Sequence, residues 1–169
     1  NKYLDKLDGI VWRGAAYQEH RQRFLESCNG LSFMDAGNTA VQRNGNIPFA
    51  KPEMSIREQL KYKFVLSLEG NDVATNLKWI MSSNSVCIMP RPKYETWFKE
   101  GTLIPNYHYI EIKEDYSDIE NVFAKYVNDK PACEFIISNA NEFVSNYLST
   151  RSMIKIARSV SLKYSKIVK

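Results

Sequence analysis

The stretch from Lys61 to Asn106 constrains the fold more than any other part of this chain. An apolar run, Phe64 to Leu68, breaks at Glu69-Gly70-Asn71-Asp72. A helical pattern follows from Val73 to Ser82, then a second short apolar run from Ser85 to Met89. Strand, polar glycine turn, helix, strand is a βαβ unit. In open α/β sheets, ligands bind beyond the carboxyl ends of the strands. The Glu69–Asp72 turn is therefore the first place to look for a site.

The rest of the chain extends the same alternation. Gly9 to Trp12 reads as a strand ending in Arg13-Gly14, and Gln18 to Cys28 as a helix stopped by Asn29-Gly30. Leu31 to Asp35 reads as a further strand. Gly37 to Met54 is rich in Gly, Asn and Pro and reads as a long loop. Ser55-Ile56-Arg57-Glu58 has capping-box spacing and opens a short helix reaching about Lys61. Pro90 to Asn106 is irregular, and Tyr107 to Ile112 alternates like a strand. Three helices follow: Ser117 to Val127, one opened by Pro131, and a last one capped by Thr150. Strands alternating with helices imply a mainly parallel sheet covered on both faces. The expected division is a Rossmann-like domain over 1–149 and a basic amphipathic helix over 150–169.

Composition excludes several classes. At 169 residues the chain is of one-domain size, and 44% hydrophobic residues supply a real core. No apolar run reaches the length of a membrane span. The sequence NKYLDKLDGIVWRG carries acidic residues where a signal peptide needs positive charge. The first residue is not Met and a strand begins almost at once, so a piece of a longer protein is expected. The net charge is +4, yet residues 151–169 hold six basic residues and no acidic one, leaving −2 for the rest. A general nucleic-acid surface does not fit that distribution. Cys28, Cys87 and Cys133 are odd in number and widely spaced; Cys87, inside an apolar run, reads as a buried hydrophobe. They suit a reducing cytoplasm and match no zinc spacing.

Several residues could carry chemistry. At Arg13-Gly14 the glycine allows close backbone approach and the arginine fork suits a diphosphate, although an arginine at a strand end is also an ordinary solvated residue. Free N–H groups at a helix starting near Val73 would attract phosphate. Asp72 either caps that helix or contacts a ligand, and Glu69 favours its positive end. In the cluster Tyr94, Glu95, Trp97, Phe98, an aromatic could stack on a base or sugar and Glu95 could accept ribose hydroxyls. The same residues also read as core packing beside a surface carboxylate. His20 reads as a surface helix residue, and His108 lies at a strand edge. The last helix pairs an apolar stripe (Ile154, Ala157, Val160, Tyr164, Ile167) with a basic one. It is either a docking helix on its own core or a membrane-surface element.

The Lys61–Asn106 segment resembles the bacterial lipopolysaccharide-type branch of the CAP10-like glycosyltransferases, family 90. The resemblance rests on Lys61-Tyr62-Lys63, the strand ending Leu68-Glu69-Gly70, a helix carrying Lys78 and Trp79, and Trp97-Phe98 ahead of the Tyr107–Tyr109 strand. Trp12-Arg13-Gly14 is similar to the aromatic-Arg-Gly that opens the family's donor-binding half. The resemblance implies that the chain is the donor-binding half of a two-Rossmann (GT-B) transferase. The donor site would draw on Arg13, Gly14, Glu69, Gly70, Asn71, Asp72, Asn76, Lys78 and Glu95. Many relatives carry an arginine where this chain has Asn76, so diphosphate neutralisation would fall to Arg13, Lys78 or the helix dipole. The implied reaction moves a hexose, glucose from a UDP donor, onto a lipopolysaccharide core or another glycan. The catalytic base belongs to the absent N-terminal half, so no catalytic residue is named. No metal and no cofactor are implied. The implied place is the cytoplasm, peripheral at the inner membrane through 151–169, with no nucleic-acid partner and with a homodimer as a further expectation. Two other classes remain open: a non-catalytic nucleotide-sugar-binding module, and a basic peripheral interaction protein.

Overall fold

The computed structural model describes residues 3–40 and 46–168. Residues 41–45 of the expected 37–54 loop lie outside the described residues. After a 3-10 turn at Tyr3–Asp5, the chain forms β1 (Leu7–Gly14), α1 (Glu19–Ser27), β2 (Met34–Asn38), α2 (Ile56–Gln59) and β3 (Tyr62–Leu66). It continues with α3 (Leu77–Met81), β4 (Val86–Met89), β5 (Ile110–Glu111), α4 (Ile119–Tyr126), α5 (Lys130–Leu148) and α6 (Thr150–Ile167). A second 3-10 turn, Glu100–Thr102, lies between β4 and β5.

All five strands pair in parallel, in the order β2-β1-β3-β4-β5. Parallel strands need crossovers, and helices supply them on both faces. Strand alternation sorts the side chains into two cores. Ile10, Trp12, Phe64, Leu66, Val86, Ile88 and Ile110 face the side covered by Phe24 and Leu25 of α1 and Ile119 and Tyr126 of α4. Val11, Val65, Cys87 and Met89 face the opposite side, with Leu77, Ile80 and Met81 of α3 and with Phe98. Helix α5 joins both, through Cys133, Ile136 and Ile137 on the first side and Ala140 and Val144 on the second. This is the three-layer, Rossmann-like α/β arrangement that the alternation of the sequence implies.

Several boundaries differ from the sequence reading, each for a local reason. Strand β2 begins three residues later than expected, because Leu31 accepts a turn hydrogen bond from Met34 N. The capping box at Ser55 and Glu58 forms in full, with both reciprocal bonds present, and α2 closes at Gln59. The strand expected over 107–112 shrinks to Ile110–Glu111, since His108 N bonds back to Ile104 O and Asn106 adopts a positive φ of 57°. Ser149, not Thr150, caps α6: it is extended and its hydroxyl accepts from Ser152 N.

The largest difference concerns the helix expected from Val73. Helix α3 starts only at Leu77 and has five residues. The Asn76 carboxamide reaches back to the end of β3, donating to Leu66 O at 3.0 Å and accepting from the Ser67 hydroxyl at 3.0 Å. Residues 70–76 are thereby held as turns: Gly70 N bonds Asp72 O, and Asp72 Oδ1 accepts from Val73 N. Asp72 caps no helix, and the expected N–H cluster near Val73 does not form.

Candidate functional site

The order β2-β1-β3-β4-β5 places a topological switch point between β1 and β3, the position where open α/β sheets hold ligands. A cavity of about 250 Å³ opens there, beyond the carboxyl ends of the strands. Its floor is built by Ser67, Leu68, Glu69 and Gly70 after β3 and by Met89 at the end of β4. One wall is Pro90 to Tyr94, another is Glu114 to Tyr116 after β5, and α1 contributes His20 and Arg23.

Arg21 binds the floor together. Its guanidinium donates to Ala15 O at 2.9 Å, Leu68 O at 2.8 Å and Glu69 O at 2.9 Å, so one side chain joins the ends of β1 and β3. It also lies 5.7 Å from the Trp12 ring centre. Burial pulls its pKa down. A β-carbon at Gly70 would stand 3.3 Å from Arg21 Nη2, which leaves little room for any other residue at that position. His20 Nε2 donates to Glu69 O at 2.8 Å, so His20 is a half-buried cleft residue rather than the surface residue its sequence suggests. Tyr116 closes the far side: it is buried, adopts a positive φ of 60° and donates its hydroxyl to His20 O at 3.2 Å. Burial raises its pKa to about 12, so it stays a neutral donor. A positive φ in a bulky residue is strained, and such residues gather at sites.

Of the residues expected from sequence, the fold brings Glu69 and Gly70 into the cleft, with Asn71 and Asp72 exposed on the turn that leaves it. Gln18 at the head of α1 donates to Asn71 Oδ1 at 2.9 Å. Asn76 lies beneath the floor, occupied with Leu66 and Ser67. Lys78 points to the other core: it pairs with Glu100 at 3.4 Å and lies over the rings of Phe98 and Trp97. Glu95 sits against Gly101, where a β-carbon would come within 2.5 Å of its Oε2. Neither Lys78 nor Glu95 lines the cleft.

Arg13 and Gly14 lie elsewhere. The Arg13 side chain is only 8% exposed and is spent on the chain itself. It pairs with Asp35 at 2.8 Å and donates to Trp12 O, Asp35 O and Pro52 O. Lys51 and the Tyr62 hydroxyl also bind the Asp35 carboxylate. Burial opposes the charge of Asp35, but the hydrogen bonds from Lys51, Tyr62 and Arg13 outweigh it and hold its pKa at about 2. The space above Gly14 is filled by the Trp12 indole, 2.8 Å from where a β-carbon would stand.

Glu100 also borders the cleft, almost fully buried. Burial disfavours its charge, but the Thr96 N–H and hydroxyl and the Lys78 ammonium hold its carboxyl below the usual range. The cations with freedom to meet a ligand are Arg23, Arg91 and Lys93. Arg23 is exposed and carries no ion pair among the described residues, while Arg91 and Lys93 make exposed pairs with Glu111 and Glu114. Exposed pairs of this kind are weak and easily exchanged. Sequence reasoning missed Arg91 and Lys93 although the signal was there: Arg91-Pro92-Lys93 directly follows a buried strand, where the topology puts ligands. His20, Arg21 and Arg23 carried no such signal, because only the tertiary fold turns the head of α1 toward β3. Among the described residues, no three His, Cys, Asp or Glu side chains gather into a metal-holding group. No helix there is long and apolar enough to cross a membrane.

Comparison with known proteins gives the family. The profile of glycosyl transferase family 90 matches residues 1–169. The chain is 43% identical over 159 residues to the O-glucosyltransferase LpsA of Dichelobacter nodosus, covering 94% of this chain and 50% of that protein. It is 26% identical over 113 residues to uncharacterized protein 179R of Invertebrate iridescent virus 6, covering 63% of this chain and 9% of that protein. The chain thus spans about half the length of LpsA. A parallel α/β sheet with a cleft at its switch point, matched from end to end by one family profile, places the chain in glycosyltransferase family 90.

Proposed function

We propose that this chain is the donor-binding half of a glycosyltransferase that moves a hexose, glucose from a UDP-sugar, onto a lipopolysaccharide core or another glycan. The carrying observation is the cleft beyond the carboxyl ends of β3 and β4, at the switch point of a family 90 chain. The similarity to an O-glucosyltransferase favours glucose as the sugar transferred. The complementary half would supply the catalytic base and close the cleft over the donor. Electrostatic stabilisation of the leaving diphosphate is the main task left to this half. Arg13 is committed to Asp35, Lys78 to Glu100, and α3 is too short to present a phosphate site. That task would then fall to Arg23, Arg91 and Lys93, which line the cleft. Replacing Arg91 and Lys93 together by alanine should weaken UDP by about 1.5–3 kcal/mol per lost charge-assisted bond, and uridine hardly at all. Calorimetry with both ligands tests this; equal affinity of wild type and variant for UDP would remove these two residues from the diphosphate site.

A second reading concerns α6. All its large apolar residues except Ile156 are exposed, including Val160, Tyr164 and Ile167. At helical spacing, Ile154, Ile156, Val160, Tyr164 and Ile167 share one arc of about 160°, and Arg151, Lys155, Arg158 and Lys166 share another of about 80°, with Leu162 inside the basic arc and Lys163 at the border of the apolar one. A wide apolar face beside a cationic one, with no carboxylate, fits an anionic membrane surface, where the acceptor glycolipid resides. A homodimer formed through the same face is the competing arrangement.

A further inference from the structure

Glu69 stands at the junction of three segments. Its carbonyl oxygen accepts from His20 Nε2 and Arg21 Nε, which fixes the end of β3 to α1. Its side chain reaches the other way. A single carboxylate oxygen, Oε1, accepts from two consecutive backbone amides, Lys93 N at 3.0 Å and Tyr94 N at 3.1 Å. Those amides belong to the wall that follows β4 through Pro90, Arg91 and Pro92. The two prolines have no N–H of their own, and residues 90–94 form no regular element. The wall therefore depends on hydrogen bonds from outside, and Glu69 provides two of them.

A carboxylate on a nucleotide-sugar site invites a reading as a ligand contact. The geometry gives a different one. We infer that Glu69 is a positioning residue: through Oε1 it holds the 90–94 wall, with Arg91 and Lys93 on it, in place over the cleft, and it does not contact the donor through its charge. This inference rests on the reading of the cleft as a donor site. Its chemical consequence is specific. The task needs an acceptor oxygen at the reach of a glutamate, not a negative charge. Glutamine supplies that oxygen; alanine has none, and aspartate keeps the charge but is one methylene too short. A negative charge beside the diphosphate of a donor would oppose binding, so an oxygen already occupied by two N–H groups suits this place.

The test compares wild type with Glu69→Gln, Glu69→Ala and Glu69→Asp, reading UDP affinity by calorimetry and amide exchange at Lys93 and Tyr94 by NMR. Glu69→Gln should bind UDP within about 3-fold of wild type, and Glu69→Ala and Glu69→Asp at least about 10-fold more weakly, the size of one lost hydrogen bond. The Lys93 and Tyr94 amides should exchange faster in Glu69→Ala and Glu69→Asp and as in wild type in Glu69→Gln. Glu69→Gln binding as poorly as Glu69→Ala would overturn the inference, because the charge would then be what the donor needs. Unchanged exchange at both amides in Glu69→Ala would overturn it as well. Where Glu69→Ala does not fold, the contrast between Glu69→Gln and Glu69→Asp carries the same decision. A wild-type chain that binds no UDP would sink the donor-site reading, and the amide exchange would still decide whether Glu69 holds the wall.

Discussion

Asp35 consumes Arg13, the strand-end arginine that the sequence offers to a diphosphate. Its carboxylate takes hydrogen bonds from Arg13, Lys51 and Tyr62, two of them cationic donors. Its folded pKa of about 2 lies below the ordinary aspartate value, so its contribution to stability is present above about pH 4 and is lost as pH falls through 2. Asp35→Asn should therefore lower stability at pH 7, with the difference from wild type shrinking progressively from pH 4 downward; urea melts across that range measure it. A constant difference from pH 7 to pH 2 would mean that the charge of Asp35 contributes nothing. Arg13→Ala should destabilise the fold by about 1–3 kcal/mol, the range for stranding partly buried hydrogen-bonding groups, and leave UDP affinity unchanged. The pattern Trp12-Arg13-Gly14 marks the end of β1. Its reach toward Asp35 was not legible, because that pairing depends on β1 and β2 lying side by side with Arg13 opposite Gly37.

At the scale of elements, the strands were readable because buried parallel strands are short unbroken apolar runs, such as Val65 within Tyr62–Leu66 and Cys87 within Val86–Met89. The capping box was readable because its two bonds are local. Ser55→Ala should remove about 1 kcal/mol, the usual value of an N-cap, and denaturant melts check it. The start of α3 was not readable. Val73, Ala74 and Leu77 have helical spacing, but Asn76 bonds to the end of β3 and keeps Val73 to Asn76 in turns. Helix α6 was readable as amphipathic, and the structure leaves its apolar stripe uncovered by its own domain. If it docks on anionic membrane, the chain should co-sediment with phosphatidylglycerol-containing vesicles, bind neutral vesicles far less, and lose the binding when it ends at residue 149. Equal behaviour with and without α6, together with a concentration-dependent dimer by light scattering, would assign the face to a second copy instead.

At the scale of the whole molecule, the sheet order does the positioning. Because β1 lies between β2 and β3, the chain reverses direction across the sheet and leaves a crevice at the carboxyl ends. Two cores, one on each face and joined through α5, back that crevice. Phe24 lies at the centre of one core, edge-on to both Trp12 and Tyr116, so it links β1 to the cleft wall. Phe24→Ala should cost about 3–5 kcal/mol and loosen that wall, measured as lost cooperativity in thermal melts. The sequence carried the βαβ unit and the Glu69-Gly70 turn; it did not carry the convergence of α1, the 90–94 wall and Tyr116, which only the tertiary order creates. The central claim is that a nucleotide sugar sits in this cleft and not beside Arg13. An amide-resolved NMR titration with UDP tests it most directly. Amide shifts are expected to centre on 67–70, on Met89, Arg91, Lys93 and Tyr94, and on 114–116, with Arg13, Asn38, Ala50, Lys51 and Glu53 unmoved. Shifts centred on Arg13, Asn38, Ala50, Lys51 and Glu53, with the cleft silent, would contradict the claim.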